Sequence, residues 1–128
     1  MNNTAMLWTG YVLSALAVLF LLMDAGMKVA GARVSVEATA GLGFDPALVT
    51  TLGAILLVAT LLYAFPRTAL LGAILVTGYL GGAIAVQLQH KAPLFSHVLF
   101  GVYLGLFVWG GLFLRSPALR GLIPLMRD

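Results

Sequence analysis

The sequence predicts an all-α integral membrane protein, an up-down-up-down bundle of four helices forming a single transmembrane domain over 1–128. Three observations predict it. The 128 residues are 62% hydrophobic and 9% charged, which is too apolar for a soluble domain of this size. Four uncharged stretches each approach the roughly 20 residues that cross a hydrocarbon core about 30 Å thick. None has the polar and apolar alternation of a barrel strand, so the stretches are predicted to be helices.

The first span is predicted over 6–29. It continues past its uncharged part through Asp24 and Lys28, and Gly31 is expected to close the helix, since glycine adopts the left-handed conformation common at helix ends. The following segment, 32–44, is rich in glycine and alanine. It is predicted to be a loop with at most a short surface element.

The second span is predicted over 47–65, because Asp45 and Pro46 are typical of a helix N-cap and first turn. The third span is predicted over 67–89. A connection as short as Phe65-Pro66-Arg67 requires spans two and three to form an antiparallel hairpin.

The fourth span is predicted over 94–114, after a connection that contains Pro93. Ser116 and Pro117 then repeat the pattern of an N-cap followed by proline. A short helix over 117–123, lying at the membrane interface, is therefore predicted.

The distribution of lysine and arginine predicts the orientation, because cytoplasmic connections carry an excess of these residues. One end of the predicted bundle carries Arg67, Arg115, Arg120 and Arg127. The other end carries Lys28, Arg33 and Lys91. The excess predicts that both termini are cytoplasmic. The basic residues occur singly at helix ends, so they indicate membrane lipid as a partner and no nucleic acid.

Polar residues gather at one end of the predicted bundle, because antiparallel helices bring the first and third connections to the same face. This polar end contains Asp24, Lys28, Glu37, Gln87, Gln89, His90 and His97. Asp24 and Lys28 are four residues apart, in the order that favours an ion pair on one helix. The pair is either structural or part of a site for proton transfer or ligand binding, since ionisable groups in membrane segments are costly.

Two sets of candidate site residues follow. Asp24, Glu37 and His97 are the catalytic candidates, because acid–base chemistry needs a proton donor and a proton acceptor beside one apolar cavity. The ligand-binding candidates are Asp24, Lys28, Gln87, His90, His97 and Tyr103. No metal site is predicted: the spacing of His90 and His97 matches no known metal motif, and the chain has no cysteine.

Two pairs of glycines at helical spacing, Gly78 with Gly82 and Gly101 with Gly105, form small-residue faces that permit close approach of helices. These faces are expected to pack spans three and four against each other within one chain. The alternative is that they form a homodimer.

Several segments resemble one protein family in order and spacing. They are 24–29 (DAGMKV), 78–83 (GYLGGA), 92–97 (APLFSH), 109–115 (WGGLFLR) and 120–124 (RGLIP). The chain resembles the DoxX-like family of small four-helix bacterial membrane proteins. The wider family is associated with membrane redox work, including a subunit of a thiosulfate:quinone oxidoreductase. The resemblance thus implies a quinone- or lipid-linked redox component or accessory subunit of a bacterial inner membrane. It leaves the cofactor open, with a quinone as the candidate, and makes a membrane or redox subunit a candidate partner.

Two other functions stay open. One is an intramembrane acid–base enzyme, such as an isomerase acting on an apolar substrate. The other is a small exporter, since four spans with nearly balanced charges resemble dual-topology drug transporters. Such transporters place an acid near the middle of the first span, whereas Asp24 lies near its end, and this position counts against transport.

Overall fold

A computed structural model describes residues 2–123. Within them the chain forms helices and no strand, which confirms the all-α prediction. The helices are α1 (Asn3–Ala30), α2 (Arg33–Gly41), α3 (Leu48–Ala64), α4 (Ala69–Gln89), α5 (Phe100–Arg115) and α6 (Pro117–Arg120). A π-helical turn, Leu94–Val98, leads into α5. Arg127, used above for the orientation, lies outside the described residues.

Three helices in the described part of the chain are long and apolar enough to cross a membrane: α1, α4 and the continuous segment Leu94–Arg115. The fourth apolar helix, α3, has 17 residues and is about 26 Å long at 1.5 Å per residue. Length and composition therefore make this a membrane protein.

Local sequence signals set several helix ends. Gly31 closes α1 in the left-handed conformation, with φ of 70°, as predicted from its lack of a side chain. Ser116 caps α6 by accepting a hydrogen bond from the Leu119 amide at 3.3 Å, also as predicted. Asp45 is not the N-cap that was predicted for the second span, because α3 begins at Leu48 and its N-cap is Ala47. The Asp45 carboxylate instead accepts a hydrogen bond from the Ala47 amide at 2.9 Å.

The long helices pack side by side, with α1 and α4 each lying between α3 and α5. Close approach of α1 and α3 requires Gly53, because a Cβ there would come within 2.6 Å of the Lys28 Cβ. Near the middle of α1, the Ser14 hydroxyl meets the hydroxyl of Tyr63, which lies at the end of α3. The two contacts together fix the direction of α3 relative to α1.

The core centres on Tyr63, which is fully buried. Its hydroxyl donates to the Val108 carbonyl at 2.6 Å and lies 2.8 Å from the Ser14 hydroxyl. The guanidinium of Arg115 lies 5.6 Å from the centroid of the Tyr63 ring and 5.6 Å from that of Tyr11. The arginine end of the molecule is thus a packed cluster that joins α1, α3 and α5.

Helices α4 and α5 pack against each other, as predicted for spans three and four, but three of the four glycines do not make the contact. A Cβ at Gly101 would lie 2.9 Å from Ile84 on α4, so this glycine does permit close packing. A Cβ at Gly78, Gly82 or Gly105 would meet no atom within 4 Å. The face of α4 that carries Gly78 and Gly82 borders open space instead, and this space includes the candidate site.

Candidate functional site

A cavity of about 550 Å³, hereafter the chamber, lies at the end of the molecule where α1 and α4 finish. Residues of α1, α2, α4 and α5 line it, together with Leu52 of α3 and His97 of the π-helical turn. Its volume is within the range of about 300–1,000 Å³ typical of small-molecule sites. Most lining side chains are apolar, and the polar ones are Asp24, Lys28, Ser35, Thr39, Tyr79, Gln87 and His97.

An ion pair lies inside the chamber. Lys28 Nζ is 2.6 Å from Asp24 Oδ1, and the two side chains are 17% and 33% exposed. The ammonium also lies 5.8 Å from the centroid of the Tyr79 ring. An ammonium has three donors and a carboxylate two oxygens. The pair uses one of each, so both groups keep hydrogen-bonding capacity that faces the cavity.

The helix α2 covers one side of the chamber, where a loop or short surface element was predicted. Ser35 and Thr39 are buried and line the cavity, as do the neighbouring Val34, Ala38 and Leu42. Neither hydroxyl was among the site residues predicted from the sequence. Their spacing of four residues, which places both on one face of a helix, is the signal that could have identified them.

Glu37 lies on the opposite face of α2 and does not line the chamber. Its carboxylate pairs with Arg33 at 3.1 Å, and both side chains are largely exposed. The structure therefore does not bring Glu37 together with the other two catalytic candidates, Asp24 and His97.

The two histidines occupy different places. His97 lines the chamber, with its Nδ1 2.8 Å from the Ser96 hydroxyl. His90 follows the last turn of α4, is exposed and is not part of the chamber wall. Within residues 2–123, no three histidine, aspartate or glutamate side chains come together as a metal site would require.

The aromatic residues of this region also occupy different places. Tyr79 lines the chamber beside Lys28. The Tyr103 hydroxyl donates to the Phe95 carbonyl at 2.8 Å, outside the chamber, so Tyr103 supports the π-helical turn. Phe20 and Phe100 form part of the chamber wall in an edge-to-face pair, with ring centroids 5.2 Å apart.

Comparison with known protein families matches residues 12–111 to the DoxX-like family. The chain belongs to the DoxX-like family. The matched region includes every polar residue of the chamber wall. Neither the comparison with curated proteins nor that with solved structures finds a match. Family membership thus supports the assignment as a membrane protein, and the chamber of this DoxX-like protein is the basis for a functional proposal.

Proposed function

We propose that this DoxX-like protein binds an apolar small molecule with a hydrogen-bonding head, a quinone or a lipid, in the chamber. It acts as the membrane component or accessory subunit of a quinone- or lipid-linked redox system. The proposal rests on the Asp24–Lys28 ion pair, which lies inside a cavity with largely apolar walls.

The ion pair favours ligand binding over a purely structural role. Ionisable groups in a membrane helix are costly and tend to mark ligand or proton pathways. A pair that only closed the end of α1 would need no cavity beside it. Here Gln87 from α4 and His97 from the π-helical turn line the same cavity, so polar groups far apart in sequence converge on one space.

The chamber residues fit a quinone. The carbonyl oxygens of a quinone ring accept hydrogen bonds. Lys28 and Gln87 carry donors for them, and His97 can provide another. Phe20 and Phe100 offer aromatic surface for its apolar body. A bound quinone would supply reversible two-electron, two-proton chemistry. The residues of this chain would bind and orient the ring and keep water away from it, while a partner subunit exchanges the electrons.

The acid–base enzyme and the exporter fit the chamber less well. Acid–base catalysis needs a free donor and acceptor beside the substrate, yet Asp24 is paired with Lys28 and Glu37 lies outside the chamber. An exporter needs access from both sides of the membrane. At the end opposite the chamber, the buried Tyr63 fills the space between α1, α3 and α5.

The proposal includes a topology in which α1, α3, α4 and α5 cross the bacterial inner membrane up-down-up-down with cytoplasmic termini. The antiparallel packing of neighbouring helices supports it. Arg67, Arg115 and Arg120 lie at the end away from the chamber, and an excess of arginine favours the cytoplasmic side. The chamber then lies toward the outer face of the membrane.

Identification of the small molecules that co-purify with the protein tests the proposal. The wild type, Ala83→Trp and Ala85→Trp are purified in mild detergent, and their bound molecules are measured by mass spectrometry. Ala83 lines the chamber, so the tryptophan would occupy part of it. Ala85 is an exposed alanine two residues away that does not line it, and it controls for the added bulk.

We expect a quinone or one lipid class to be enriched in the wild type and in Ala85→Trp, and depleted in Ala83→Trp. Equal amounts in all three proteins, at the composition of the surrounding membrane, would contradict the proposal.

A further inference from the structure

A second cavity, hereafter the α3–α4 groove, lies on the outer surface between these two helices and measures about 520 Å³. It is lined by Ala54, Ile55, Val58, Ala59, Ile74, Leu75, Gly78 and Tyr79. Apart from the Tyr79 hydroxyl, the wall has no polar side chain. Ile55, Val58, Ile74 and Leu75 are 43–57% exposed, and the surface of a membrane helix at this level faces hydrocarbon. The groove therefore suits an apolar chain.

The groove and the chamber meet at Gly78 and Tyr79, which line both. A Cβ at Gly78 would meet no atom within 4 Å, so the space beside this residue is open. On the chamber side, the Tyr79 ring centroid lies 5.8 Å from Lys28 Nζ. One molecule can therefore have its polar head at the ion pair and its chain in the groove.

We propose that the ligand is an amphipathic molecule with a linear apolar chain, whose chain leaves the chamber past Gly78 and lies in the α3–α4 groove. The proposal rests on the proposed function, because it takes the head site from it. Long-chain quinones and lipids share this chemistry. The head selects the chamber through hydrogen bonds and charge, and the chain gains packing contacts with α3 and α4.

The same arrangement gives the ligand a route into the site. The groove opens to the hydrocarbon between α3 and α4, so a molecule dissolved in the bilayer can reach the chamber sideways without passing through water. Tyr79 lies where the α3–α4 groove meets the chamber and lines both. Its ring and hydroxyl suit the boundary between an apolar chain and a polar head.

The test distinguishes the contribution of the chain to the binding affinity from that of the head. A decyl-substituted benzoquinone, the same ring without a chain, and a decyl-chain phosphoglycerol lipid are titrated against detergent-solubilised protein by calorimetry. The proteins are the wild type, Ala54→Phe and Ala85→Phe. Ala54 is exposed in the groove and does not line the chamber. Ala85 is an exposed alanine of α4 that lines neither cavity.

We expect Ala54→Phe to weaken binding of a long-chain probe about tenfold, the loss for roughly two displaced methylene contacts. The affinity of Ala54→Phe for the ring without a chain should stay within about twofold of that of the wild type. Ala85→Phe should bind both kinds of probe as the wild type does. Selective loss for the decyl quinone identifies a quinone as the source of the chain, and selective loss for the decyl lipid alone identifies a lipid.

Two results would overturn the inference while leaving the head site intact. In the first, the ring without a chain binds the wild type, and Ala54→Phe binds the long-chain probes as tightly as the wild type does. The other is equal weakening of all probes by Ala54→Phe, which would mean that the substitution acts on the chamber. If no probe binds the wild type, the proposed function fails, and the inference fails with it.

Discussion

The hydroxyl of Ser14 lies 2.8 Å from the hydroxyl of Tyr63 in the buried cluster at the end of the molecule opposite the chamber. The Tyr63 hydroxyl also donates to the Val108 carbonyl at 2.6 Å, so one side chain links α1, α3 and α5. The hydroxyls of Ser14 and Tyr63 are thus hydrogen-bonded within the protein, whereas the polar side chains of the chamber wall line a cavity. Stability and binding are therefore expected to respond to different substitutions.

Tyr63→Phe should destabilise the protein without affecting the chamber. It removes the hydroxyl that contacts both Ser14 and Val108, and the loss of buried hydrogen bonds is expected to cost about 1–3 kcal/mol. Thermal unfolding in detergent measures the loss. Tyr103→Phe is the control, because its hydroxyl makes one exposed hydrogen bond, to Phe95. A larger loss for Tyr103→Phe than for Tyr63→Phe would contradict the account.

The Asp24–Lys28 pair should show coupled effects on stability. Asp24→Asn leaves the largely buried Lys28 ammonium without its charged partner, which should cost about 1–3 kcal/mol, below the range for fully buried pairs because both groups are partly exposed. The double change Asp24→Asn with Lys28→Met removes both charges and should recover part of that loss. Equal small losses in single and double variants would mean that the pair contributes nothing to stability.

Gln87 and Glu37 should differ in their effect on binding. Gln87→Leu removes an amide from the chamber wall and should weaken quinone binding about five- to tenfold, the usual effect of one lost hydrogen bond. Glu37→Gln should leave affinity unchanged, because this carboxylate faces outward and pairs with Arg33. Titration of both variants with the benzoquinone probes measures this. A larger loss for Glu37→Gln would favour the acid–base enzyme instead.

Connectivity explains which features of the site could be predicted from the sequence. Uncharged stretches that are long enough to span a membrane and lack the alternation of barrel strands are helices. Antiparallel neighbours then bring the end of α1, the end of α4 and the start of α5 together. For this reason Asp24, Gln87 and His97 line one cavity. Their role in binding stays a prediction.

The remaining features depend on how each helix is rotated about its own axis, which apolar composition does not determine. Nearly every residue of α4 is apolar, so the sequence did not indicate that Gly78 and Gly82 border open space. Hydropathy gave no reason to expect a helix over Arg33–Gly41, and without that helix the outward direction of Glu37 could not be derived. The sequence also could not show that Tyr103 points toward Phe95.

The proposed orientation predicts which exposed residues can be labelled from outside the cell. The chain has no cysteine, so Glu37→Cys and Arg67→Cys each introduce a single thiol at an exposed position. We expect an impermeant maleimide to label Glu37→Cys in intact cells, and Arg67→Cys only after the cells are opened. The reverse pattern would overturn the orientation and leave the chamber in place, facing the cytoplasm.

Photocrosslinking in native membranes tests whether the chamber binds a quinone or a lipid. A quinone and a lipid that each carry a diazirine near the head are crosslinked to the wild type and to Ala83→Trp, and the labelled peptides are mapped by mass spectrometry. We expect one probe to label peptides from 33–44 and 79–87, and Ala83→Trp to abolish this labelling. Labelling confined to the surroundings of Arg67, or unchanged in Ala83→Trp, would contradict this expectation.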